Sequence, residues 1–146
     1  MKRALRILSE ATRYRTCMVG EREKRTILVA DDSTAHRRLL ELILSAHNFT
    51  VVTAEDGHQA LTYLQANTPD LMILDVNMPH LSGIELCKRA KHTARLSEVP
   101  VIIMTSLTDT ETRNHAQAAN ADLLVNKPLK GKNLNGMITD LLAAGG

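Results

Sequence analysis

From Thr26 onward the chain alternates short apolar runs rich in Ile, Leu and Val with longer segments whose apolar residues recur at helical spacing. The runs predict strands over Thr26 to Ala30, Thr50 to Ala54, Leu71 to Leu74, Val101 to Met104 and Leu123 to Val125. The longer segments predict helices over Thr34 to Ala46, Gly57 to Ala66, Gly83 to Lys91, Thr110 to Ala118 and about Gly131 to Leu142. In the first helix, Leu39, Leu42, Ile43 and Ala46 show the spacing of a core-covering face. Gly131 and Gly136 each cost up to ~1 kcal/mol relative to Ala inside a helix, so the last helix is expected to be short or mobile.

Strict βα alternation with short connections implies parallel strands joined by right-handed crossovers. The expected fold is α/β, a doubly wound five-stranded parallel sheet with helices on both faces. In such sheets the functional crevice lies at the carboxyl ends of the strands, which directs attention to the residues that end each one.

Composition supports this architecture. Apolar residues make up 44%, yet there is one Phe, two Tyr and no Trp, so the core rests on aliphatic side chains, as buried parallel sheets do. No apolar run approaches the ~20 residues that span a bilayer, and Arg6, Glu10 and Arg13 interrupt the N-terminal apolar stretch, against a secretory signal. A soluble cytoplasmic protein is expected, with Cys17 and Cys87 as unpaired thiols.

Residues 1–25 carry eight Lys or Arg against three Glu, so the net charge of +2 conceals a basic leader and an acidic remainder. This predicts a basic N-terminal extension over 1–25, partly helical or disordered, and one domain over 26–146. The leader is read as a solvated segment rather than a nucleic-acid or membrane contact.

The strand ends carry the chemistry. The first strand leads into Asp31 and Asp32, the third into Asp75, the fourth into Thr105, and the fifth into Lys127 and Pro128. Any one of these Asp residues alone reads as a turn former. Three carboxylates from two strands repel unless a cation compensates them, and Mg2+ suits a site of one or two carboxylates plus phosphate oxygens. Asp56 and Gly57 read instead as the turn opening the second helix, and Pro79 and Gly83 as the frame of the loop after Asp75, where Gly tolerates positive φ. His36, His47, His58, His80, His92 and His115 form no HxxxH pair and read mostly as surface positions.

The blocks ILVADDS (27–33), AEDGHQAL (54–61), PDLMILDVNMPHLSGIEL (69–86), VPVIIMTS (99–106) and NKP (126–128) resemble the response regulator receiver domain family, of CheY-like fold. The resemblance implies strand order 2-1-3-4-5 and a two-component phosphorelay function. By position, Asp75 would accept a phosphoryl group, and Asp32, Asp75 and the backbone carbonyl of Asn77 would bind Mg2+ directly, with Asp31 assisting through water. Lys127 would neutralise phosphoryl charge, Thr105 would be the switch hydroxyl, Ser106 would donate its backbone N–H, and Pro128 would follow a cis peptide. Asn77 and Leu107 occupy positions that tune the acyl-phosphate lifetime in that family.

The chain departs from the family at Leu124, where a Tyr or Phe usually rotates with phosphorylation, and at Leu129, where Phe is common. Leu124 lacks an amphipathic ring, so an altered coupling from Thr105 to the outer face is expected. The implied partners are a histidine kinase or histidine phosphotransfer protein and an unidentified downstream protein, with a phosphorylation-linked dimer allowed. No nucleic-acid binding or membrane insertion is expected. The protein is not expected to be an enzyme beyond catalysing its own phosphorylation and dephosphorylation.

No output region follows Gly146, which favours a stand-alone receiver, with a fragment of a longer regulator as an alternative. Two other readings are a phosphorylation-independent interaction module, prompted by Leu124, and a haloacid dehalogenase-type phosphatase. The last is disfavoured because the nucleophile candidate lies on the third strand and not in a first-strand DxD.

Overall fold

The computed structural model of the chain describes residues 24–106, 109–127, 129 and 131–145. Most of the expected basic extension, with Cys17, Leu107 and Pro128, lies outside them.

Five strands form one parallel sheet in the order β2-β1-β3-β4-β5: β1 (Thr26–Ala30), β2 (Thr50–Ala54), β3 (Leu71–Asp75), β4 (Val101–Thr105) and β5 (Leu123–Asn126). The helices are α1 (Thr34–Ala46), α2 (Gly57–Ala66), α3 (Gly83–Lys91), α4 (Thr110–Ala118) and α5 (Gly131–Gly145). Strands β3, β4 and β5 each run one residue past the expected end, so Asp75, Thr105 and Asn126 belong to the ladder. Asp75 pairs in register with Met104, and Thr105 with Asn126.

Alternation along the strands divides the core in two. Leu28, Ala30, Met72, Leu74, Val101 and Ile103 face one cluster with Ala60, Leu64, Leu86 and Cys87 from α2 and α3. Ile27, Val29, Leu71, Ile73, Ile102 and Met104 face the other, with Leu40 and Leu44 of α1 and Leu134 and Ile138 of α5.

The helices start where local side chains satisfy their first N–H groups. Ser33, Asp56, Ser82 and Asp109 cap α1 to α4, accepting from the backbone N–H of His36, Gln59, Glu85 and Thr112. Asp56 therefore has the capping role expected of it.

Three expectations need correction. The last helix is not short: α5 has 15 residues, because Leu134 and Ile138 are fully buried and their packing outweighs the cost of Gly136. In α1 the buried stripe is His36, Leu40 and Leu44, whereas Leu39 and Leu42 are 42% and 71% exposed. Adjacent leucines satisfy two helical registers, and the helix took the one containing His36, which is therefore not a surface residue. Gly83 is required for close approach and not for positive φ, since a Cβ there would lie 2.3 Å from the Asp75 carbonyl oxygen. Positive φ in this loop falls on His80, at 71°.

Candidate functional site

Asp31 follows β1 with the same parity as Ile27 and Val29, and Asp75 ends β3 with the parity of Leu71 and Ile73. Lys127 follows β5 with the parity of Leu123 and Val125, so all three side chains are delivered to the α1 and α5 side of the sheet edge. Thr105 falls on the opposite parity, with Val101 and Ile103.

The contacts agree with that placement. Lys127 Nζ lies 3.2 Å from Oδ2 of Asp31 and 3.2 Å from Oδ2 of Asp75. The carboxylate of Asp31, fully buried, also accepts the Ser33 N–H at 2.9 Å on Oδ1 and is bonded through Oδ2 to His36 Nδ1. The Asn77 N–H points to Asp75 Oδ1 at 3.3 Å. Arg37 donates to the Asp31 carbonyl at 2.8 Å, fixing the turn between β1 and α1.

Electrostatics separate the two buried acids. For Asp75, burial is the largest influence and, with the neighbouring Asp31 charge, pushes its carboxyl up to about 6 against the pull of Lys127. Burial also acts upward on Asp31, but hydrogen bonds from His36 and Ser33 and the Lys127 charge outweigh it and hold that carboxyl at about 2. Burial opposes the charged form of Lys127, yet the two carboxylates raise its ammonium above its ordinary value.

Asp31, Asp32 and Asp75 each offer one ligand oxygen within 4.8 Å of the others. Asp32 is exposed while the other two are buried, so the cluster opens to solvent on one side. Oxygen-only donors carrying three negative charges match a hard divalent cation and do not match a soft metal.

The remaining expected residues cluster less tightly. Thr105 is buried, and its carbonyl accepts the Lys127 N–H at 2.9 Å, which ties the ends of β4 and β5. Ser106 is exposed next to it, and Asn77 is exposed after β3. Leu124 is half-buried and packs with the α2 and α3 cluster, and Leu129 is buried in the other. Cys87 is buried, donates to the Ala119 carbonyl and has its thiol pushed up to about 11 by burial, which makes it unreactive.

Sequence reasoning missed His36. Its signal was positional: it stands four residues before Leu40 and eight before Leu44, on the stripe that α1 buries, and five after Asp31. The edge-on contact of the His58 and His80 rings, with centroids 5.7 Å apart, was also missed, because it joins the start of α2 to the separate loop after β3.

A family model described as the response regulator receiver domain matches residues 27–139. The chain is 41% identical over 122 residues to a probable transcriptional regulator, ycf27, of Cyanophora paradoxa, covering 84% of this chain and 50% of that one. It is 35% identical to the two-component response regulator ARR17 of Arabidopsis thaliana, covering 79% and 83%. Among solved structures, the signal receiver domain of a signal transduction histidine kinase from Syntrophus aciditrophicus superposes with a TM-score of 0.77 at 31% identity, covering 82% and 91%. The chain spans about half the length of the ycf27 relatives. With its five-stranded 2-1-3-4-5 sheet and an acidic cluster at the strand ends, the chain belongs to the response regulator receiver domain family of two-component systems.

Proposed function

We propose that this receiver takes a phosphoryl group on Asp75 from a phosphohistidine of a histidine kinase or histidine phosphotransfer protein, in a Mg2+-dependent reaction. The observation that carries the reading is the meeting of Asp31, Asp32 and Asp75 within 4.8 Å, with Lys127 bridging the two buried acids.

Bound Mg2+ would neutralise charge on the transferring phosphoryl oxygens and on the acids around it. Asp32, Asp75 and the Asn77 carbonyl are the residues that would hold it directly, with Asp31 acting through water. A carboxylate oxygen of Asp75 then forms the bond to phosphorus as the phosphorus–nitrogen bond of the donor breaks. The electron pair stays on the imidazole nitrogen, which takes a proton from solvent. Lys127 exchanges its contact with Asp75 for a phosphoryl oxygen, and the Ser106 N–H and Thr105 hydroxyl add donors around the same group. Pro128 is assigned a supporting role in the loop after Lys127. Such self-phosphorylation and later hydrolysis are single events on the chain's own side chain, not turnover of a separate substrate.

The output would be altered affinity for a downstream protein or for a second copy, since movement of Thr105 changes the end of β4 beside β5. Leu124 gives this route aliphatic repacking in place of ring rotation. Incubation with Mg2+ and acetyl phosphate should add one phosphoryl mass to the wild type and none to Asp75→Asn. Addition that persists in Asp75→Asn, or never occurs with acetyl phosphate or a phosphohistidine donor, would reject the assignment.

A further inference from the structure

The stripe that α1 buries is Leu40, Leu44 and an imidazole. His36 is only 9% exposed, and its Nε2 is buried without a hydrogen-bond partner among the described residues. An apolar side chain would fill this position without burying an unpaired nitrogen. What the imidazole supplies is Nδ1, bonded to Oδ2 of Asp31. Because ionised Asp31 can only accept, Nδ1 carries the proton of that bond.

The bond completes the surroundings of Asp31. Oδ1 takes the Ser33 N–H at 2.9 Å and Lys127 Nζ at 3.3 Å, while Oδ2 takes Lys127 at 3.2 Å and His36. Both oxygens are thus engaged, by His36 of α1, by its cap residue Ser33 and by Lys127 just after β5. Among the described residues, Asp75 has the Asn77 N–H on one oxygen and Lys127 on the other, and Asp32 is exposed.

We propose that His36 is a positioning residue of the phosphorylation site: its Nδ1–H pins Asp31 against Lys127, so that Asp31 serves the cation site from a fixed distance and does not swing into it. This rests on reading the acidic cluster as a Mg2+ site. Groups that orient metal-site carboxylates through hydrogen bonds commonly set affinity by about 10-fold to 100-fold. His36 is a candidate for that role because the bond is buried, bears on an ionised oxygen and is the ring's one polar anchor among the described residues.

Two substitutions separate positioning from packing. His36→Leu keeps an apolar filler and removes the donor, whereas His36→Asn places an amide N–H where Nδ1 stands but leaves a gap behind it. Calorimetric titration of the full chain with Mg2+ should show affinity about tenfold weaker in His36→Leu, restored to within about threefold in His36→Asn. Thermal stability should follow packing instead, with His36→Asn the less stable of the two. In metal-free wild type, side-chain 15N spectra should show a proton on His36 Nδ1 with slowed solvent exchange.

Mg2+ affinity within twofold of wild type in His36→Leu, or equal losses in both variants, would overturn the proposal while leaving the acceptor assignment intact. Wild type that binds no Mg2+ would overturn both.

Discussion

Lys127 Nζ stands 3.2 Å from Oδ2 of Asp75, although 52 residues separate them in sequence. The Lys127 side chain is one-fifth exposed and that of Asp75 almost wholly buried, so the pair lies at the boundary between core and solvent. There a charge is strong enough to matter and still reachable by a ligand.

Removing that charge should divide binding from chemistry. In Lys127→Ala, Mg2+ should bind roughly fivefold tighter, because a competing cation has left the acids. Phosphorylation by acetyl phosphate should slow on the order of a hundredfold, because the transferring oxygens lose a preorganised donor. Calorimetry and time-resolved intact-mass measurement read the two effects, and a parallel change in both would count against separate roles.

Mg2+ binding should depend on pH through Asp75. Its carboxyl sits at about 6 in the folded protein, so below that pH the metal must displace a proton. Apparent affinity should fall by about tenfold per pH unit below 6 and level off above 7. A flat profile between pH 5 and 7 would count against a raised Asp75 carboxyl competing with the metal for its proton.

The same group should make the metal-free protein less stable when it ionises. Because the folded carboxyl, at about 6, holds its proton more tightly than the ordinary 3.8, stability declines as pH rises from about 4 to 6. Asp31 has the opposite sign: held at about 2, it contributes stability above its ordinary 3.8 that is lost as pH falls toward 2. Asp75→Asn should therefore raise the metal-free Tm by about 3–8 °C at pH 8 and change it little at pH 4. Calorimetric scans at the two pH values test this.

Two glycines should respond in opposite directions to alanine. In Gly83→Ala the new methyl would lie 2.3 Å from the Asp75 carbonyl oxygen, so the loop must shift, at a cost of about 1–3 kcal/mol and with slower phosphorylation. Gly136 lies exposed inside α5, and a Cβ there meets nothing within 4 Å. Gly136→Ala should stabilise by about 0.5–1 kcal/mol without affecting phosphorylation. Urea unfolding monitored by circular dichroism distinguishes them.

The placement of the acids was legible because a parallel sheet turns strand endings into neighbours, and the endings at Asp31, Asp75 and Lys127 could be read directly from the sequence. The environment of those groups was less legible. Periodicity could not choose between Leu39 and Leu40 as the inner position of α1, and with that choice went the recognition that His36 is buried. The length of α5 was hidden because glycine cost is local, whereas the burial of Leu134 and Ile138 depends on the opposite wall.

Strand order has a mechanical consequence. Asp31, Asp32 and Asp75 rise from β1 and β3, each hydrogen-bonded to a neighbour on both flanks, whereas Lys127 leaves β5, which among the described residues is an edge strand paired on one flank. The negative groups stand on inner strands, and the positive group leaves an edge of the sheet. When spacing at the site must change to admit a phosphoryl group, the lysine and its strand yield first, and amide hydrogens of β5 should exchange with solvent sooner than those of β1 or β3.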